Sequence, residues 1–96
     1  MKIGFIGLGN VGGKLSGSLV RNGQSVVVHD LDPALVAQKV ADGAVAGQGP
    51  AQMMRDCDVV ITCLPSPAAS AAVVAQMLPE IGAGKIWIEM STTDAA

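Results

Sequence analysis

The stretch Gly4-Phe5-Ile6-Gly7-Leu8-Gly9-Asn10-Val11-Gly12 constrains this chain more than any other. It follows an apolar run that begins at Lys2, so it reads as a strand feeding a glycine loop and then a helix. Gly7, Gly9 and Gly12 fill a G-x-G-x-x-G spacing. Gly7 suits the tight turn out of the strand. Gly9 lets a pyrophosphate approach the backbone, and Gly12 lets the helix pack close to the sheet. The phosphates then lie at the helix N-terminus, where Asn10 and Val11 supply backbone N–H groups. Three spaced glycines say little in a chain with 12 of them. Context strengthens the signal. A second apolar run, Val26-Val27-Val28, ends in His29-Asp30. An acidic residue about 20 positions past the glycines is where a ribose-binding carboxylate belongs. The plain alternative is a glycine-rich turn that binds nothing.

The rest of the chain repeats the strand-helix alternation. Strands are expected over Lys2 to Ile6, Ser25 to His29, Ala44 to Ala46, Asp58 to Leu64 and Lys85 to Met90. The first helix runs from Asn10 to Arg21, with Val11, Leu15 and Leu19 as its buried stripe. Gly13 and Gly17 cost this helix about 1 kcal/mol each against alanine, for which close contact with the sheet is the expected reason. Gly23 suits a left-handed cap. Asp32-Pro33 and Ser66-Pro67 read as cap and first residue of further helices. The Asp32 helix reaches Ala41, with Leu35, Val36, Lys39 and Val40 in period. The Ser66 helix reaches Leu78, with Val73, Val74, Met77 and Leu78 inward. A short helix opens at Pro50 and ends near Asp56. The fourth strand, Val59-Val60-Ile61-Thr62-Cys63, does not alternate, which suits a parallel strand covered on both faces. Helical crossovers demand a parallel α/β sheet of the doubly wound, Rossmann type, with strand order 3-2-1-4-5.

Ligands of such sheets bind at the carboxyl ends of the strands. After strand two, the Asp30 carboxylate would accept from ribose hydroxyls and repel a 2′-phosphate. Leu31 stands where an arginine would favour NADP, so NAD is expected ahead of NADP. His29 reads as structural. After strand four, Leu64 and Pro65 would flank the adenosine side, or simply form a turn. After strand five come Glu89-Met90-Ser91-Thr92, two hydroxyls placed to meet substrate or cofactor, or to cap a helix.

Half of the 96 residues are apolar and the net charge is −2. That balance offers no general attraction for nucleic acid or anionic membranes. With Phe5 and Trp87 as the sole aromatics, stacking platforms for single strands are lacking. No secretory leader or membrane span is legible, and a cytoplasmic location is expected. Cys57 and Cys63 lie on one expected strand, roughly 20 Å apart at about 3.3 Å per residue. They read as buried free thiols. A single histidine without a Cys-x-x-Cys pair argues against zinc.

The glycine loop, Cys57-Asp58-Val59-Val60-Ile61-Thr62-Cys63-Leu64-Pro65 and Glu89-Met90-Ser91-Thr92-Thr93 together resemble the N-terminal half of the NAD-binding domain of the β-hydroxyacid dehydrogenases. That family includes 3-hydroxyisobutyrate dehydrogenase, tartronate semialdehyde reductase and 6-phosphogluconate dehydrogenase. The resemblance implies hydride transfer between a nicotinamide cofactor and a 3-hydroxy acid or its semialdehyde. It implies that Asn10 and Val11 meet pyrophosphate, that Leu64 and Pro65 line the adenosine side, and that Ser91 and Thr92 lie at nicotinamide and substrate. Departures are visible. Lys14-Leu15-Ser16 replaces the usual Pro-Met-Ala, Glu89 replaces the more frequent Asp, and Ser70 is the nearest polar residue past the Leu-Pro pair. The family's proton-moving lysine lies on a helical second half. Lys2, Lys14, Lys39 and Lys85 do not match it, so no catalytic residue is assigned here. Residues 1–96 are expected to be a partial dinucleotide-binding domain, inactive alone and lacking the catalytic helical domain and the sixth strand. Strand five is then an exposed edge, and a homo-oligomer is expected. Two alternatives are the nucleotide half of a pyrroline-5-carboxylate or F420-linked reductase and a non-catalytic NAD-sensing module.

Overall fold

The computed structural model of the chain describes residues 1–64, 67–82 and 84–90. Five strands and four helices alternate: β1 (Lys2–Ile6), α1 (Asn10–Arg21), β2 (Ser25–His29), α2 (Pro33–Ala41), β3 (Val45–Ala46), α3 (Pro50–Asp56), β4 (Val59–Thr62), α4 (Pro67–Met77) and β5 (Ile86–Glu89). A 3-10 turn, Leu78–Glu80, follows α4. The strands form one parallel sheet in the order β3-β2-β1-β4-β5, as the alternation predicts. Central β1 pairs Phe5 with Val28 on one side and with Ile61 on the other.

Strand side chains alternate between faces, so this sheet has two cores. Phe5, Leu8, Val26, Val28 and Ala44 pack under α1 and α2, joined by Leu15, Leu19, Leu35 and Val36. Ile6, Val27, Met53, Met54, Cys57, Val60 and Met77 pack under α3 and α4, with Trp87 at the margin. Burying Phe5 contributes about 2 kcal/mol of transfer free energy. Polar groups inside are satisfied: Ser16 Oγ donates to the Gly13 carbonyl, and the Trp87 indole N–H donates to Thr62 Oγ1 at 3.0 Å. Lys85 Nζ donates to the carbonyls of Arg55 and Cys57, placing a cation at the C-terminal end of α3.

Several expectations need correction. Val11 and Leu78 are exposed by 60% and 58%, so neither belongs to the buried face assigned to it, and Val40, in period on α2, is 42% exposed. The inward face of each helix is narrower than its apolar pattern, and α4 gives way to the 3-10 turn just before Leu78. β4 spans four residues rather than seven. Cys57 therefore caps α3, while Cys63 follows the strand; both thiols are free, the first buried and the second half-buried. Gly13 and Gly17 do not serve contact with the sheet. A Cβ on Gly17 would meet Arg21 and Lys39, and one on Gly13 would meet the Leu8 carbonyl and Lys39. Gly23 takes φ 80°, and the N–H of Gln24 closes on Leu19 O as a left-handed cap requires.

Candidate functional site

A cleft of about 960 Å³ opens at the carboxyl ends of β1, β2 and β4. The glycine loop forms its floor. Gly7 has φ 99°, a conformation that glycine supplies without strain. A Cβ there would fall 2.1 Å from the Cys63 carbonyl oxygen, so β4 runs directly behind the turn. Gly12 is held equally tightly, with its Cβ position 2.0 Å from the Gly7 carbonyl oxygen. Gly9 differs: nothing lies within 4 Å of the point its Cβ would occupy. Space is therefore left open in front of Gly9, at the start of α1. Gly9 is the N-cap, no side chain caps this end, and the first turn holds no acidic residue. Val11, on that first turn, lines the cleft. Helix N-termini carry N–H groups without intrahelical acceptors and a partial positive charge. An open cradle over Gly9, against such an end, fits a pyrophosphate.

Asp30 fixes the second wall. Its Oδ2 accepts from Leu8 N at 2.7 Å, and its Oδ1 accepts from Asp32 N at 2.8 Å. The Gly7 N–H donates to the His29 carbonyl at 3.0 Å. The end of β2 is thus tied to the glycine loop at two points. A carboxylate has about four lone-pair sites, so two directions remain for hydroxyl donors. His29 also lines the cleft, although the sequence reading left it out.

The wall from β4 carries Cys63 and Leu64. Burial pushes the Cys63 thiol above its ordinary value, the Glu89 carboxylate adds to this, and the Gly12 N–H opposes it. Cys63 is therefore a neutral thiol near pH 7 and contributes apolar surface rather than a nucleophile. Leu64 approaches Gly7, and its Cδ2 lies 3.3 Å from a Cβ placed there. Pro65, Ser91 and Thr92, with the capping residue Ser66, fall outside the described residues. Ser70 turns to β5, where its hydroxyl donates to Glu89 Oε2 at 2.9 Å. Leu31, read beside Asp30 in the sequence, lines the cleft, and the structure adds residues that sequence reasoning missed: Gln48, Gly49 and Pro50, and Gln76 on α4. Gln48, Gly49 and Pro50 follow β3, so extending the strand-end rule to the third strand would have found them. Among the described residues, no group of three or more His, Cys, Asp or Glu gathers as a metal site. No described helix is long and apolar enough to cross a membrane.

Residues 2–96 match the NAD binding domain of 6-phosphogluconate dehydrogenase. The chain belongs to this family. It is 36% identical over 98 residues to glyoxylate/succinic semialdehyde reductase 1 of Arabidopsis thaliana, covering 99% of this chain and 34% of that protein. It is 33% identical over 97 residues to human cytokine-like nuclear factor N-PAC, covering 98% of this chain and 18% of the relative. Among solved structures, 3-hydroxyisobutyrate dehydrogenase of Mycobacterium tuberculosis, determined with L-serine, superposes with a TM-score of 0.88 at 29% identity. That match covers 96% of this chain and 32% of the enzyme. The chain thus spans between 18% and 34% of the length of these proteins. It is the NAD-binding domain of a hydroxyacid dehydrogenase family, whose relatives include dehydrogenases and reductases.

Proposed function

We infer that residues 1–96 are the first part of the cofactor domain of an NAD-dependent 3-hydroxyacid dehydrogenase, with catalytic residues on a helical domain outside this sequence. The observation that carries this reading is the Asp30 carboxylate, held by Leu8 N and Asp32 N at the head of a cleft whose floor is open over Gly9. Bound there, a nicotinamide cofactor supplies the hydride chemistry. The chain's own part is to hold and orient it. The N–H groups of Asn10 and Val11 meet the pyrophosphate, Asp30 accepts from the adenosine ribose, and Leu64 with Pro65 excludes water from the adenosine side. Gly7 and Gly12 keep the floor thin enough for that approach. Asp30 and the neighbouring Asp32 disfavour a 2′-phosphate, which sets NAD ahead of NADP. Ser91 and Thr92, by resemblance, face nicotinamide and a small hydroxy acid or semialdehyde. The parent is proposed to act in the cytoplasm as a homo-oligomer.

Calorimetric titration with NADH and NADPH tests this directly. NADH is expected to bind more tightly, and Asp30→Ala to weaken NADH by about tenfold or more, the loss of a charge-assisted contact. Tighter NADPH binding, or an indifferent Asp30→Ala, would overturn the cofactor assignment. A second reading is a non-catalytic NAD-sensing module, supported by a relative that is named a nuclear factor rather than an enzyme. On that reading Ser91→Ala leaves the function of the parent protein intact, whereas on the enzyme reading it lowers turnover.

A further inference from the structure

A second depression lies outside the nucleotide cleft, between α1 and α2. Lys14, Arg21, Gln38 and Lys39 line it, and it meets the cleft at Gly9 and Leu35. Gly13 of α1 also lines it, and Gly17, one turn further along that helix, is buried beneath the Arg21 and Lys39 side chains. A Cβ on Gly17 would stand 3.3 Å from Arg21 Nη1 and 3.3 Å from Lys39 Nζ. Two cationic heads therefore converge on one point above a helix position that lacks a side chain. Like charges brought this near repel, and an anion between them would relieve that. Among the described residues, the acidic group that pairs with either is Asp42, 3.9 Å from Lys39 Nζ and itself largely exposed, so solvent screens that pair. Arg21 is the last residue of α1 and Lys39 sits in the last turn of α2. Two helices thus present positive charge on one side of the groove, while the chain as a whole carries −2. Gly13 and Gly17 lower the propensity of α1, and the trough they open is where the Lys39 side chain lies.

We propose that this trough is a phosphate-binding site, in which Arg21 and Lys39 clamp a phosphate monoester and Lys14 guards the mouth beside Gly9. The guanidinium supplies a planar fork and the ammonium a point charge, a pairing suited to a tetrahedral dianion. The phosphate has two possible sources. One is the 2′-phosphate of NADP(H), reaching the trough past Gly9. The other is a separate phosphorylated small molecule bound alongside the dinucleotide.

Amide resonances of the ¹⁵N-labelled chain, titrated with inorganic phosphate, test the site. Saturable shifts at Gly13, Gly17 and Lys39 are expected, weakened on the order of tenfold in Lys39→Met and in Arg21→Gln, and reduced by added chloride. Gly17→Ala separates this role from a structural one. Its methyl group occupies the point between the two cations, so phosphate binding falls while the melting temperature rises. Absence of saturable shifts, or shifts that persist unchanged in both charge variants, would overturn the proposal. Repeating the titration at saturating NADH and at saturating NADPH, each judged by the Gly9 resonance, distinguishes the sources. Displacement by NADPH alone assigns the site to the 2′-phosphate, and retention beside both assigns it to a separate ligand. Displacement by NADH places the phosphate in the nucleotide cleft and refutes the trough. Should neither dinucleotide bind, the phosphate shifts still report on the trough alone.

Discussion

At the scale of single residues, the three loop glycines are not equivalent, and substitution separates their roles. Gly9→Ala adds a methyl group to open space at φ −66°, which any residue tolerates, so the fold should lose no more than about 1 kcal/mol, from a poorer N-cap, while NADH affinity falls. Gly12→Ala drives a methyl group to 2.0 Å from a backbone carbonyl and should lower stability by about 2 kcal/mol or more. Calorimetry for binding and thermal melts for stability, run on both variants, check the contrast; equal melting temperatures would contradict it. The Cys57 thiol gives a pH signature. Burial raises its pKa above the ordinary 9.0, Lys2 opposes this, Asp56 adds to it, Lys85 opposes and Asp58 adds. The folded state then retains a proton that the unfolded chain releases. Stability is full below the ordinary thiol value and is lost as pH climbs toward the raised one. Melting temperature should fall more steeply above pH 9 in the parent chain than in Cys57→Ala, and parallel curves would count against burial as the cause. Much of the site was legible at this scale because Gly7, Gly9, Gly12 and Asp30 act through local spacing and a fixed offset. Gln76 was not, because only the packing of α4 beside the glycine loop brings it to the cleft.

Among the helices α1 to α4, α2 is weakly held, with no fully buried residue and Leu35 and Val36 packed against the core. Its start depends on Asp32, whose Oδ1 accepts from Ala34 N at 3.0 Å, with Pro33 behind it. Asp32→Ala should cost about 1 kcal/mol. Hydrogen exchange should show the loss concentrated in Ala34 to Ala41, since little else holds the helix. Uniform loss across the sheet would mean that the cap serves the whole fold. The same element shows why the sequence overestimates burial. Helical period identifies which residues share a face, but not how much sheet lies beneath that face. β3 has only two residues, so the outer half of α2 overhangs the sheet and Val40 meets solvent. Strand order was legible because each crossover contains a helix and crossovers are right-handed. Strand ends were not, because Cys63 and Leu64 are as apolar as the strand residues before them, so composition does not mark where β4 stops at Thr62.

For the whole molecule, the two sides of the sheet face different risks. β3 presents a short edge with two residues, which offers little for another strand to pair with. β5 presents four residues, Ile86-Trp87-Ile88-Glu89, paired to β4 on one side only among the described residues. Trp87 turns to the core and is anchored on Thr62, which holds β5 in register. Ile86 and Ile88 point the other way and are exposed by 53% and 42%, an apolar stripe on an open backbone edge. Such an edge supplies backbone N–H and C=O groups along Ile86 to Ile88 together with area to bury, the combination that recruits a second copy. Self-association of this chain through β5 is therefore expected, and light scattering at increasing concentration should show a rising mass. Ile88→Lys places a charge on the stripe without touching the Trp87 anchor, and should shift the chain toward monomer with its thermal melt nearly unchanged. A constant monomer mass at high concentration, or association untouched by Ile88→Lys, would assign the contact to another face.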